Sequence, residues 1–410
     1  MHTELHPRFE DSSEAREAAD LISACVHCGF CLATCPTYLD SRDERDSPRG
    51  RISLVKQLLE QGEASALSQK HLDRCLSCRS CETTCPSGMA YARMADIGRG
   101  LLEADELRPA PWRLLRSALR NVLSRPALFG TLLRLGQWVR PLAPGALKSM
   151  IPPRQVVPAA PTETHPRTML VLDGCVQRGA TPRTNAIARR VLHHLGITLQ
   201  SVSAAGCCGA VNYHLGARQQ GLDNMRRNID AWWPAIEAGA EAILSTASGC
   251  GAMLSEYGEL LAADPRYADK ARRVSDLTRD IGEIILDEDL TRLAPPPGNK
   301  RVAVQIPCSL QHGLKLPDLI PRILQQAGFT LTATTDDHLC CGSAGTYSIL
   351  QPGTAGRLRQ RKLAGLSGDG PEIIATGNVG CQLHLQAATD IPVVHWIELL
   401  DKDAPDGRDP

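Results

Sequence analysis

Two runs of Cys-x-x-Cys-x-x-Cys-x-x-x-Cys-Pro, at Cys25, Cys28, Cys31, Cys35-Pro36 and at Cys75, Cys78, Cys81, Cys85-Pro86, repeat at a constant offset of 50 residues. They hold half of the chain's sixteen cysteines. Three thiolates at this spacing wrap a tight backbone nest around one corner of a cubane iron–sulfur cluster, and the fourth, followed by Pro, reaches the other cluster of a pair. The spacing therefore predicts crossed ligand sets: Cys25, Cys28, Cys31 and Cys85 around one [4Fe–4S] centre, and Cys75, Cys78, Cys81 and Cys35 around the second. A zinc ribbon uses two Cys-x-x-Cys knuckles and needs neither the third evenly spaced Cys nor the Cys-Pro.

The other eight cysteines form an internal duplication. Cys175, Cys207, Cys208 and Cys250 recur as Cys308, Cys340, Cys341 and Cys381 at offsets of 133, 133, 133 and 131. Gly209 and Gly342 follow the Cys pairs, and Gly249 and Gly380 precede the last Cys of each copy. Adjacent cysteines pair with each other only under strain, whereas two neighbouring thiolates and two remote ones make a metal cradle, for iron–sulfur or for zinc. Glycine at such a turn lets backbone approach closely. Short apolar strands are expected at residues 169–172 and 302–306 before the first Cys, and at 242–245 and 373–376 before the last. Helices fall between them, an alternation that predicts α/β units. All eight cysteines are then expected on loops beyond strand ends, where open α/β sheets gather their ligands.

The elements that position the first motifs read as helices at 12–24, from Ser47-Pro48 onward, and at 87–105; Ser47 suits a cap and Pro48 a first helical position. From 107 to 162 there is no Asp or Glu but nine Arg and Lys. Arg113, Arg116, Arg120 and Ser124 share one side of a helix there, with Trp112, Leu115, Leu119 and Val122 on another. That basic face either lies on an anionic membrane surface or is solvated while the apolar face packs on a neighbouring domain. A Pro-rich stretch, 151–166, marks a boundary. The expected domains are 1–106, 107–166, 167–295 and 296–410.

Composition fits this plan. The chain has 410 residues, 43% hydrophobic and 22% charged, with zero formal net charge, which offers no argument for nucleic acid as a partner. The first twenty residues are polar and acidic and lack an export signal, so reduced, metal-bound thiols in the cytoplasm are expected. No apolar run approaches the ~18 residues of a membrane span. His27 sits among cluster thiols that already suffice, and His214, His312 and His384 do not align between copies, so all four read as ordinary polar or core groups. Trp232 and Trp233 read as packing residues. Arg49 and Arg51 are placed either to tune a cluster or to solvate a helix start. With no G-x-G-x-x-G after a strand, a flavin is not expected on this chain.

The helical region, with 39 residues between Cys35 and Cys75, resembles the α-helical ferredoxin domain of succinate dehydrogenase iron–sulfur subunits. Both repeats resemble the Cys-Cys-Gly domains of heterodisulfide reductase, anaerobic glycerol-phosphate dehydrogenase and lactate-utilisation proteins. The whole layout most resembles the family of iron–sulfur subunits of bacterial glycolate oxidase, on Ala24-Cys25-Val26-His27-Cys28-Gly29-Phe30-Cys31, Ser47-Pro48-Arg49-Gly50-Arg51, His71-Leu72-Asp73-Arg74-Cys75, Asn228-Ile229-Asp230-Ala231-Trp232-Trp233 and His338-Leu339-Cys340-Cys341-Gly342-Ser343-Ala344-Gly345. The resemblance implies an α/β multidomain protein, an α-helical ferredoxin domain followed by two α/β Cys-Cys-Gly domains. It further implies an electron-transfer subunit without catalytic acids or bases, fed by FAD-containing partners that oxidise glycolate to glyoxylate. Electrons would leave to a quinone-type acceptor, with peripheral membrane contact through residues 107–154 at the inner face of the cell membrane. Lactate or glycerol-3-phosphate dehydrogenase partners, or heterodisulfide-reductase-like thiol–disulfide chemistry, are the alternatives. Against the last, the pattern's terminal Cys-x-x-Cys has Ala247 and Asn378 in its first place, which argues against a five-thiolate non-cubane cluster.

Overall fold

The computed structural model describes residues 1–104, 107–293 and 300–401. The end of the helix expected to reach Asp105, the boundaries expected at Glu106 and between Pro295 and Pro296, and the tail 402–410 lie outside the described residues.

The N-terminal part is a helical layer: α1 (Ser13–Ser23), α2 (Pro48–Gln61), α3 (Ala66–Asp73) and α4 (Tyr91–Ala104). Serine hydroxyls cap three of them, Ser12 accepting from Ala15 N, Ser47 from Gly50 N and Ser65 from Ser68 N. Their apolar stripes close on one core of Ile22, Ile52, Val55, Leu59, Leu72, Met94 and Ile97. Gly98 lets α2 and α4 cross closely, because a Cβ there would stand 2.7 Å from Val55 Cγ2. The last helix begins at Tyr91 rather than at residue 87. Gly88, at φ +66°, still belongs to the turn that follows Cys85-Pro86.

A hairpin of α5 (Ala110–Leu123) and α6 (Pro126–Val139) follows. Here the expected orientation fails at Arg116, although Arg113 is exposed and Leu119 and Val122 are half-buried as expected. Arg116 is buried, reaching Asp73 at 3.5 Å, Glu103 at 3.9 Å and the Leu215 carbonyl at 3.1 Å, and Arg120 also donates to Leu215 O. Trp112, Leu114 and Leu115 face outward instead. The acids that draw the arginines in come from other segments, so the acid-free stretch 107–162 gave no sign of them. Among the described residues no helix is long and apolar enough to cross a membrane.

Each repeat builds a four-stranded parallel sheet of the same topology. The first contains β1 (Arg167–Val171), β2 (Ile197–Ser201), β3 (Ile243–Ser245) and β4 (Thr278–Asp280) in the order β2-β1-β3-β4. The second contains β5 (Arg301–Gln305), β6 (Thr330–Leu331), β7 (Ile373–Thr376) and β8 (Val393–His395) in the order β6-β5-β7-β8. Leu170 pairs with Ile243 in one and Ala303 with Ile374 in the other. The sheets share a core in which Val171 and Leu244 join Val302, Ile320 and Trp396. Across this junction His395 Nε2–H donates to Thr246 O at 2.6 Å, and Ser248 N donates to Gly377 O.

Asp280 ends β4 and caps the helix Ile281–Asp287, accepting from Gly282 N at 2.9 Å. Burial pushes its carboxyl up to about 7. A folded-state value raised above the unfolded one contributes stability below about pH 4 that is lost as pH rises through 7. Asp280→Asn keeps a capping oxygen without the buried charge. We expect the variant and parent to unfold alike at pH 4 and the variant to gain on the order of 2 kcal/mol by pH 8. Thermal unfolding across this range checks it, and a pH-independent difference refutes it.

Candidate metal centres

Both Cys-x-x-Cys-x-x-Cys loops carry the same backbone device. The second residue after the first Cys and the fourth are left-handed: His27 (φ 54°) and Gly29 (φ 82°) in one, Ser77 (φ 51°) and Arg79 (φ 63°) in the other. Alternating hand turns successive N–H groups inward as a nest for an anionic group. For non-glycine residues this conformation costs of order 1–3 kcal/mol and persists where the site demands it. Ser77 N donates to Cys75 Sγ at 3.4 Å.

Two cavities lie inside these loops. One is lined by Cys25, Cys28, Cys31 and Cys85; the other by Cys35, Cys75, Cys78 and Cys81. Each gathers three thiols of one motif and the last of the other. Cys81, Pro48 and Tyr91 stand in the wall between and touch both cavities. Thr34 and Thr84, which precede the two Cys-Pro steps, are tied by a 3.2 Å hydroxyl bond and both donate to Ser80 O. All sixteen cysteines are free thiols. The donor set, the nests and the cavities fit two cubane clusters.

The surroundings differ. Cys28 is exposed between the exposed Val26 and Phe30, and burial still pushes Cys31 up to about 11. Around the second cavity, Arg51 is 1% exposed and Arg99 7%. Burial pushes the Cys75 thiol up, yet Arg51 and Arg99, with the Ser77 N–H and the Tyr91 hydroxyl, hold it below its ordinary value. Burial first, then the nearby Cys308, pushes Cys78 up. Arg51 is thus no solvated helix start. His27 lines the first cavity, its Nε2 buried without a hydrogen-bond partner.

In each repeat the four cysteines meet sulfur to sulfur. Cys207 takes hydrogen bonds from Cys175 and Cys208, which pull it well below the thiol range, and Cys208 also contacts Cys250. The second copy joins Cys308 to Cys340 at 3.9 Å, Cys340 to Cys341 and Cys341 to Cys381. Gly209 and Gly342 donate to Cys207 and Cys340 Sγ, each at 3.4 Å. Both are left-handed, and a Cβ would stand 2.8 Å from Gly221 O or 2.7 Å from Ala355 O. The expectation that all eight cysteines lie on loops needs correction: Cys250 and Cys381 occupy the first turns of the helices Ser248–Ser255 and Val379–Gln386. Positions at helix N-termini favour a thiolate. Asn378 donates to Cys381 Sγ at 3.6 Å.

Residues that sequence reasoning missed hold these turns. Tyr257 donates to Cys208 O at 2.7 Å and Asn228 to Cys207 O at 2.9 Å. Lys362, buried, donates to Asp336 O beside Cys340 and Cys341. None has a counterpart at the repeat offset, so the duplication could not reveal them. Two of the histidines judged ordinary join separate parts, His214 meeting Asp96 at 3.0 Å and His312 meeting Thr83 at 3.0 Å, while His384 meets Ala355 O within its own repeat. Trp232 is buried in the core of the first repeat. The helical layer also grips the second repeat through Asp40 and Arg357 (2.7 and 2.6 Å) and through Tyr347 on Arg74 O. Cys78 and Cys308 consequently pack against one apolar cluster.

Comparison with known proteins agrees with this layout. A family model described as "4Fe-4S dicluster domain" matches residues 21–89, and one described as "Cysteine-rich domain" matches 169–255 and 302–386. The glycolate oxidase iron-sulfur subunit of Escherichia coli (strain K12) is 50% identical over 98% of this chain and 99% of that protein. A probable glycolate oxidase iron-sulfur subunit of Bacillus subtilis (strain 168) is 27% identical over 94% and 95%. Lactate utilization protein A of Bacillus velezensis is 26% identical over 52% of this chain and 89% of its own. The chain is an electron-transfer protein with two [4Fe–4S] clusters. Because identity of 50% runs far outside the cysteine motifs that any dicluster protein shares, the chain belongs to the family of glycolate oxidase iron–sulfur subunits.

Proposed function

We propose that this chain is the electron-transfer subunit of a glycolate dehydrogenase. Cys25, Cys28, Cys31 and Cys85 hold one cluster, and Cys35, Cys75, Cys78 and Cys81 the other. The observation that carries the reading is the crossing of the motifs, which lines each cavity with three thiols of one motif and the last of the other, Cys81 standing in the wall between them. Clusters bound there supply reversible one-electron acceptance. Removal of two electrons from glycolate, giving glyoxylate, suits a flavin and falls to FAD-containing partners of this chain; a quinone-type acceptor takes the electrons. This chain's residues hold and shield the carriers: the nests present N–H groups, and the helical core keeps the two cavities side by side.

The repeat cysteines, Cys175, Cys207, Cys208 and Cys250 and Cys308, Cys340, Cys341 and Cys381, form further metal sites, of iron–sulfur or zinc. Contact of Cys78 with the Cys308 and Cys340 surroundings favours a redox role for the second set. The protein works in the cytoplasm at the inner face of the cell membrane, which it meets through the apolar outer face of the α5–α6 hairpin rather than through arginines.

Iron, acid-labile sulfide and zinc per chain, measured after anaerobic purification, test this. About eight irons without zinc place clusters in the two helical-domain cavities alone. About twelve or sixteen extend them into the repeats, and negligible iron with stoichiometric zinc overturns the reading.

A further inference from the structure

The two cysteine motifs are identical in spacing, yet the arginines beside the cavities they form differ in burial. Arg51 donates from Nε to His71 O at 2.7 Å and from Nη2 to Thr37 Oγ1 at 3.1 Å, and that hydroxyl lies 3.3 Å from Cys35 Sγ. Arg99 donates to Cys75 O and to Ser77 Oγ, both at 2.7 Å. Tyr91 adds a hydroxyl 3.7 Å from Cys75 Sγ.

The acids within reach are shared among several cations. Asp46, 3.6 Å from Arg51, is shared with Arg74 at 3.0 Å and His71 at 2.7 Å. Asp96, 3.2 Å from Arg99, is shared with His214 at 3.0 Å. Arg79, which lines the same cavity, is paired with Glu82 at 2.6 Å and with Glu256. These four guanidiniums and four carboxylates balance in number, and what sets the site apart is the depth at which Arg51 and Arg99 are buried against its thiols. In the first cavity the lining guanidinium, Arg49, is partly exposed and paired with Glu44 at 2.8 Å. Charges shielded from water act more strongly than exposed ones, which solvent and salt screen.

Reduction adds one electron to a cluster and breaks no bond, so the site becomes more negative by one charge. Buried guanidiniums beside the ligating thiols and hydrogen bonds to their sulfurs both favour that state. We propose that Arg51 and Arg99 give the second cavity the higher reduction potential of the two, so that an electron rests at the inner site beside Cys308 and Cys340 and not at the solvent-facing one. The proposal rests on the ligand sets given under Proposed function.

Equilibrium redox titration of the anaerobically prepared full chain, followed by electron paramagnetic resonance, tests it. Cys85→Ala first assigns the transitions, since it removes the one belonging to the first cavity; loss of both or neither would reject the ligand sets, independently of the arginines. In the parent the remaining transition is expected to be the higher. In Arg51→Gln it falls by at least tenfold in the reduced-to-oxidised ratio at fixed potential, about 59 mV, while the first cavity's transition stays in place. Arg51→Lys restores it, which a purely structural role does not explain. Where Arg51→Gln loses iron, Thr37→Val decides: it removes the hydroxyl between Arg51 and Cys35 Sγ and should shift the same transition downward by twofold or more. A second-cavity transition that lies lower in the parent, or that neither variant moves, overturns the proposal.

Discussion

Replacing Cys85 by Ala is expected to empty the cavity whose other three thiols lie more than fifty residues upstream, and replacing Cys35 by Ala to empty the other. Each single change should lower iron by about four per chain. The sharper expectation concerns pairs. Cys25→Ala with Cys85→Ala should lose no more iron than either alone, whereas Cys25→Ala with Cys35→Ala should lose about twice as much. Motifs that each fed a single cluster would give the opposite pattern, with Cys25 and Cys35 behaving as one unit. The geometry behind this is the pair of cavities and the Thr34–Thr84 tie, which sets the two Cys-Pro steps side by side so that each Cys faces the neighbouring loop's nest. Emptied loops should also relax, because His27, or Ser77 and Arg79, no longer gain from left-handed backbone. Limited proteolysis should then cut near Val26–Phe30 in Cys85→Ala and near Ser77–Ser80 in Cys35→Ala. Iron assay and peptide mapping read both effects; equal losses of one spectrum in Cys85→Ala and Cys75→Ala would defeat the crossed arrangement.

Much of this site was legible because cysteine chemistry imposes spacing. The duplication was equally legible, and β1, β3, β5 and β7 fall within two residues of the expected strands because each is a short apolar run bounded by turn residues. β4 and β8 went unseen: each has three residues, Thr278–Asp280 and Val393–His395, and follows the last cysteine, where no repeat marker remained. The hidden part of the site is what neighbours in space contribute. Arg51 reads equally as a cluster-tuning group and as a solvated helix start until α3 supplies the His71 carbonyl and the loop before α2 supplies Asp46. Arg99 carries no motif, and its partners at Leu72 and Cys75 lie more than twenty residues away. In the same way, helical periodicity divided α5 into an arginine side and an apolar side correctly but held no information on which side faces in. That was decided by Asp73 and Glu103, buried-pair partners from the helical layer.

The burial of Arg116 changes which face of α5 the proposed membrane contact would use and so changes the experiment. Leu114 is 73% exposed, Trp138 83% and Leu142 90%, with Trp112, Leu132 and Leu135 exposed as well. This is a larger outward apolar array than a solvent-facing hairpin needs. The segment carries basic and no acidic side chains, of which Arg134 and Lys148 are exposed, a combination suited to the headgroup region of an anionic bilayer. Inward, Phe129 of α6 packs within 3.3 Å of where a Cβ of Gly179 would be, four residues after Cys175, so the hairpin adjoins the first repeat's thiols. A lipid-soluble acceptor would meet the protein on that side. Leu114→Ser, Leu135→Ser and Trp138→Ser together remove exposed side chains and should leave thermal unfolding and iron content unchanged. Each large apolar group buried in lipid is worth about 1.5–3 kcal/mol, so affinity for phosphatidylglycerol vesicles should fall at least a hundredfold in co-sedimentation. Arg116→Glu should act differently, lowering the unfolding temperature because it sets a carboxylate against Asp73 and Glu103. Vesicle binding that survives the triple variant, with loss instead of the co-purifying flavoprotein, would reject the membrane contact and assign this face to the partner subunit.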